Sequence, residues 1–102
     1  MEWNQYKALI KEQKQANLQA SEDVFEEAVT LAYANHCVLQ RKPGNAHFQL
    51  LCLNENSEYF IYNLYPSTQR IYSDPKHRGP FLQVKKPWTL LDVVKAKIGE
   101  RI

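Results

Sequence analysis

Residues 58–81 read EYFIYNLYPSTQRIYSDPKHRGPF and hold four of the six tyrosines in the chain. The first part, residues 58–65, is dense in aromatic and β-branched side chains, which fit a pleated, half-buried surface. Pro66, Ser67 and Thr68 supply turn chemistry, because proline fixes φ and the two hydroxyls bond locally to backbone. Residues 69–73 read as a returning strand. The stretch therefore predicts a β-hairpin closed by a loop of roughly three to five residues.

Side-chain alternation assigns the two faces of its first strand. Tyr59, Ile61, Asn63 and Tyr65 point one way, and Phe60, Tyr62 and Leu64 the other. Neither set is plainly polar, so the strand is expected either to be central in its sheet or to be covered by helices on one face. A tyrosine buries its ring only where its hydroxyl finds water or a partner. A cluster of tyrosines thus describes either a binding surface or the rim of a small core.

Working outward, residues 47–53 (HFQLLCL) read as a strand that is apolar on both faces, and residues 37–42 as a shorter one. Pro43-Gly44-Asn45 and Asn54-Glu55-Asn56-Ser57 are the turns between them. Beyond the hairpin, residues 74–80 form a polar, proline-bounded loop and residues 81–84 a candidate fifth strand. Connections this short exclude parallel crossovers and predict an antiparallel meander.

Helical signals flank the sheet. Trp3, Tyr6, Leu9 and Ile10 follow helical spacing, and the polar KEQKQANLQ after them implies a helix anchored by its front half. Ser21, with Glu22 and Asp23, predicts the start of a second helix, the hydroxyl capping and the acids meeting the positive end of the dipole. Val24, Phe25, Ala28, Leu31 and Ala32 would form its buried face, flanked by Val29 and Tyr33, with Asn35 closing it in the left-handed conformation. At the far end Thr89 and Asp92 have capping-box spacing, and Trp88 and Val93 that of a hydrophobic staple. Leu90, Leu91, Val94 and Ile98 complete a last buried face, Lys95 and Lys97 lie near the negative end, and Gly99 is the expected stop. The expected fold class is α+β: two N-terminal helices, a four- or five-stranded antiparallel meander sheet and a C-terminal helix, in one domain over residues 1–102.

Hydrophobic residues at 44% and charged ones at 24% describe a folded chain, not a disordered one. No apolar run reaches the length of a membrane span, and the N-terminus lacks the basic-then-apolar pattern of a secretory signal. A cytoplasmic location is the expectation, in which Cys37 and Cys52 are reduced, buried thiols rather than a disulfide framework. The net charge of +2 is unevenly spread. Residues 1–34 carry three basic and six acidic groups, whereas residues 75–102 carry seven basic and two acidic ones. A basic end of this kind attracts phosphates or acidic proteins.

The interleaving of rings and cations points to a ligand. Tyr62, Tyr65, Arg70, Tyr72, Lys76, His77 and Arg78 fall within one short span. Bases stack on aromatic rings because each base offers a π-face, while Arg and Lys meet phosphates. No ring motif of the RNA-recognition type, Gly-rich phosphate loop or GXXG segment accompanies them. The resulting expectation is a small non-enzymatic binding module for a phosphate-bearing ligand, a nucleic acid or nucleotide, with no cofactor. The tyrosines and two tryptophans equally suit a protein-binding inhibitor or adaptor of phage or mobile-element type, since Tyr, Trp and Arg anchor interfaces.

Two further arrangements have the residue types of known chemistry. His36, Cys37, His47 and Cys52 are zinc-ligand types, but their spacing matches no finger or ribbon, and packed thiols are the expected role of the cysteines. Asp74, with Gln83-Val84-Lys85 on a following strand, resembles a degenerate form of the PD-(D/E)xK nuclease pattern. That resemblance implies Mg²⁺ held by acidic groups and a lysine orienting the attacking water. Gln83 stands where the pattern has a carboxylate, and Asp74 precedes Pro75 instead of following it.

Overall fold

The computed structural model describes residues 2–44, 46–54 and 56–99. In chain order the elements are α1 (Trp3–Asp23), α2 (Phe25–Ala34), β1 (Cys37–Arg41), β2 (Phe48–Leu53), β3 (Tyr59–Tyr65), β4 (Arg70–Ser73) and α3 (Leu90–Gly99). The strands pair antiparallel in the order β1-β2-β3-β4, so the fold is an α+β meander with β2 and β3 inside.

Alternation along the strands gives the sheet one dry face. Cys37, Leu39, Phe48, Leu50, Cys52, Tyr62 and Leu64 are buried there, in one cluster with Ala28 and Ala32 of α2 and Leu90, Leu91, Val93 and Val94 of α3. Phe60 and Ile71 pack at its margin. Burial of this much branched and aromatic surface, at about 25 cal/mol per Å², is the main force holding the helices to the sheet. Arg41 adds a tie at the sheet edge. Its guanidinium grips Glu22 of α1, with one N–H···O distance of 2.9 Å, and lies over the rings of Phe25 and Phe48. The hydrogen bond to Glu22 and the charge opposite raise the Arg41 pKa above its ordinary value, against a smaller opposing effect of burial.

The helix termini follow the local chemistry, with two corrections. α3 is capped as expected. Asp92 Oδ2 accepts the Thr89 N–H at 2.8 Å, Thr89 Oγ1 accepts the Asp92 N–H at 3.3 Å, and Trp88 and Val93 are both buried. Ser21, expected to open α2, lies instead inside α1, fully buried, and its Oγ accepts the N–H of Leu90 at 3.2 Å. The hydroxyl is spent on the start of α3, and the break between α1 and α2 falls at Val24. At the other end of α2, Asn35 has φ −120° and its side chain donates to the Leu31 carbonyl; the left-handed residue is the next one, His36, at φ 61°.

The expected anchoring of α1 is reversed. Trp3, Tyr6, Leu9 and Ile10 are exposed, and the rear of the helix packs, through Leu18 and Ser21. A helix of 21 residues is about 32 Å long at 1.5 Å per residue, and of its apolar side chains Leu18, in the rear half, is the one that packs on the core.

Among the described residues the sheet has four strands, and residues 81–84 do not form a fifth. Side chains, not ladder bonds, tether the chain on either side of them. Gly79 donates its N–H to Ser73 Oγ, and Tyr62 donates its hydroxyl to the Pro80 carbonyl at 2.8 Å. Further on, the Gln69 amide takes both backbone groups of Trp88, accepting its N–H at 2.6 Å and donating to its carbonyl at 2.9 Å. Gln69 is therefore a buried bridge in the β3–β4 turn at φ 58°, not the first residue of β4.

Candidate functional site

Among the described residues no helix covers the second face of the sheet. It is built by the alternate residues Val38 and Gln40 of β1, Gln49, Leu51 and Leu53 of β2, Tyr59, Ile61, Asn63 and Tyr65 of β3, and Arg70 and Tyr72 of β4. Val38, Leu53, Tyr59 and Tyr72 are each close to half exposed.

Four rows run across this face. The row next to Tyr65 is polar: Gln40 donates to Gln49 Oε1 and Gln49 donates to Asn63 Oδ1 at 3.0 Å, and an apolar row of Val38, Leu51 and Ile61 separates it from Tyr59. Asn63 Oδ1 also lies 2.9 Å from His47 Nε2, and since that oxygen only accepts, the ring nitrogen donates. At one end of β3, His47 stacks on Tyr65 with ring centroids 4.6 Å apart and planes within 10°. Tyr72 meets the Tyr65 ring edge-on at 5.8 Å, and Arg70 donates to the Tyr72 hydroxyl. At the other end His77 stacks on Tyr59 with centroids 4.4 Å apart. Tyr59 and Tyr65 are six residues apart on one strand, a separation of about 20 Å at 3.3 Å per residue.

The loop after β4 is shaped to bring His77 there. Asp74 Oδ1 accepts the N–H groups of Lys76 and His77 at 2.9 and 3.1 Å, a local turn closed by a carboxylate. Its ends are tied to β3: Asp74 donates to the Ile61 carbonyl and Ile61 donates to that of His77. Lys76, His77 and Arg78 then line a shallow pocket with Glu58, Tyr59 and Phe60.

The seven sequence-derived residues are thus divided among three places. Tyr65, Arg70 and Tyr72 are together at one end of the open face, and Lys76, His77 and Arg78 gather around Tyr59 at the other. Tyr62 belongs to neither. It is 2% exposed on the inner face, its hydroxyl held by Pro80, and Lys97 of α3 places its ammonium over the rings of Phe60 and Tyr62. A ligand on the open face does not reach it, because the strand period turns it to the inner side of the sheet. Three residues of the face were missed in the sequence: His47, Tyr59 and Asn63. For Tyr59 the signal was present in its even spacing from Tyr65; for His47 it needed the register that sets Phe48 beside Leu64.

The other constellations separate. Cys37 and Cys52 are direct partners across β1 and β2 on the buried face, whereas His47 lies on the opposite face against Tyr65. Asp74 spends one carboxylate oxygen on its own loop, and Gln83 and Lys85 lie on no strand, so the two-strand platform of the nuclease pattern is not formed. Among the described residues, no three His, Cys, Asp or Glu side chains are grouped as metal ligands. No helix among them is long and apolar enough to cross a membrane. No protein-family model, curated protein or solved structure matches this chain.

Proposed function

We propose that the open face of the sheet binds a phosphate-bearing ligand with stackable rings, a short single-stranded nucleic acid or its nucleotides, without performing chemistry on it. The observation that carries this reading is the pair of ring platforms on one uncovered face, each with cations beside it: Tyr65 and Tyr72 with Arg70, and Tyr59 and His77 with Lys76 and Arg78. Rings presented this way accept any base, and the polar row of Gln40, Gln49 and Asn63 offers amide groups to base edges beside the Tyr65 platform. Arg and Lys at both ends supply phosphate contacts that fix a strand along β3 without reading sequence.

The exposed Val38 and Leu53, beside Tyr59 on the same face, support a second reading, a protein partner anchored on apolar surface. Titration of short single strands and of mononucleotides at two salt concentrations separates the two. Phosphate binding weakens steeply with salt. Absence of binding at low salt rejects the nucleic-acid reading and leaves the protein partner.

A further inference from the structure

Apart from the open face, the structure has a groove beside β4 on the inner side of the sheet. It measures about 380 Å³ and is lined on one side by Gln69, Ile71 and Ser73 and on the other by residues 78–82, with Val84, Lys86 and Trp88. Tyr62, Leu82, Val84 and Trp88 make its floor and far wall largely apolar. The volume is in the range of sites that take a ligand or a peptide side chain.

The register states which backbone groups face it. Asp74 donates to the Ile61 carbonyl, and Tyr72 pairs with Asn63 and Arg70 with Tyr65. In an antiparallel ladder the bonded pairs alternate, so Tyr72 and Arg70 spend their backbone groups on β3. Ile71 and Ser73 then turn their N–H and C=O groups away from β3, toward the free edge. Among the described residues nothing bonds to these four groups, and none of the backbone groups of residues 81–86 has a protein partner. The groove therefore has an apolar floor and opens beside a strand edge at which Ile71 and Ser73 present their ladder groups.

The groove also has a charge pattern. Arg78 sits at the Ser73 end, because the adjacent Gly79 donates to Ser73 Oγ. Lys86 sits at the Gln69 end, because Trp88, two residues on, is held by Gln69. Among the described residues that line the groove none is acidic.

We propose that this groove receives an extended peptide segment of a partner protein, which adds to β4 as the fifth strand that residues 81–84 do not supply. Ladder bonds to Ile71 and Ser73 give it register. Alternate apolar side chains fall on Tyr62, Leu82, Val84 and Trp88, and an acidic residue at each end meets Arg78 and Lys86. An edge with a mixed row of donors and acceptors selects for backbone, which a lipid or other small apolar molecule cannot provide.

The probe is a capped heptapeptide with glutamate at both ends and alternating valine and threonine between, titrated into the whole chain by amide NMR. The expected result is saturable binding with hydrogen-exchange protection of the Ile71 and Ser73 amides. Binding should weaken at least tenfold in the doubly reversed variant Arg78→Glu, Lys86→Glu. Methylating the peptide's alternate backbone nitrogens in one of the two phases should abolish it. Three results overturn the proposal. These are no change at the Ile71 and Ser73 amides at millimolar peptide, equal binding of both methylated peptides and the parent, or concentration-dependent protection of those amides without peptide, which assigns the edge to a second copy.

Discussion

Ser21, buried at the rear of α1, accepts the backbone N–H of Leu90 at the start of α3, joining residues 69 positions apart. The first N–H groups of a helix have no partner within it, and buried ones must be satisfied from outside. Thr89 and Asp92 serve the exposed side of that terminus, and Ser21 serves the buried side.

Ser21→Ala is thus expected to cost more than a surface serine. It leaves the Leu90 N–H buried without a partner, a loss of about 1–3 kcal/mol. Urea denaturation measures it. A loss under about 0.5 kcal/mol, the usual range for surface substitutions, would mean that the bond contributes nothing net.

Gln69→Ala tests the second tie to α3. It strands both the N–H and the C=O of Trp88, with an expected cost of about 2–4 kcal/mol for two unsatisfied groups. Because Trp88 is buried and Trp3 is exposed, a Trp3→Phe background isolates the Trp88 fluorescence. Its emission should shift to the red in Gln69→Ala. Gln69→Gly separates the two roles of the residue: it relieves the left-handed backbone but loses the same bonds, so it should recover only about 1 kcal/mol.

Gly79 is fixed by a close approach. A Cβ there would lie 2.1 Å from the Tyr62 hydroxyl oxygen and 2.9 Å from Phe60 Cβ. Gly79→Ala should therefore destabilise by about 1–3 kcal/mol through overpacking. Tyr62→Phe removes the atom nearest the clash, so the double variant should lose less than the two single losses added. Strict additivity in a double-mutant cycle would show that the Gly79 backbone moves instead.

These ties explain how much of the fold was legible. The meander, the α3 cap and the hairpin over Tyr59 and Arg70 follow from alternation, turn chemistry and capping spacing, all local signals. Ser21 was misread because a hydroxyl before two acids has the same local signature whether it caps its own helix or a distant one. The α1 stripe of Trp3, Tyr6, Leu9 and Ile10 was misread because helical spacing fixes which side chains align, not whether a neighbour covers them. The candidate site was half legible. Strand period places Tyr62 opposite Tyr59 and Tyr65, but which face the helices cover is a tertiary fact. His77 and Tyr59 come together only through a loop closed by Asp74.

The same division of faces yields the test of the binding proposal. Tyr62→Phe retains the buried ring, so it should leave binding unchanged, whereas Tyr65→Ala and Tyr59→Ala each remove an exposed platform. Stacked rings contribute about 1–3 kcal/mol per base, so each alanine should weaken a strand of roughly ten nucleotides by tenfold or more. The two platforms lie about 20 Å apart along β3, so a dinucleotide cannot reach both. Its binding should respond to one substitution and ignore the other, while the longer strand responds to both. Arg70→Ala and Arg78→Ala, one at each end, should each reduce the dependence of affinity on salt by about one phosphate's worth. Fluorescence anisotropy of labelled strands in each variant, at two salt concentrations and two lengths, measures all five. A dinucleotide that responds equally to Tyr59→Ala and Tyr65→Ala would mean that the loss is one of folding, and the two-platform face would be rejected.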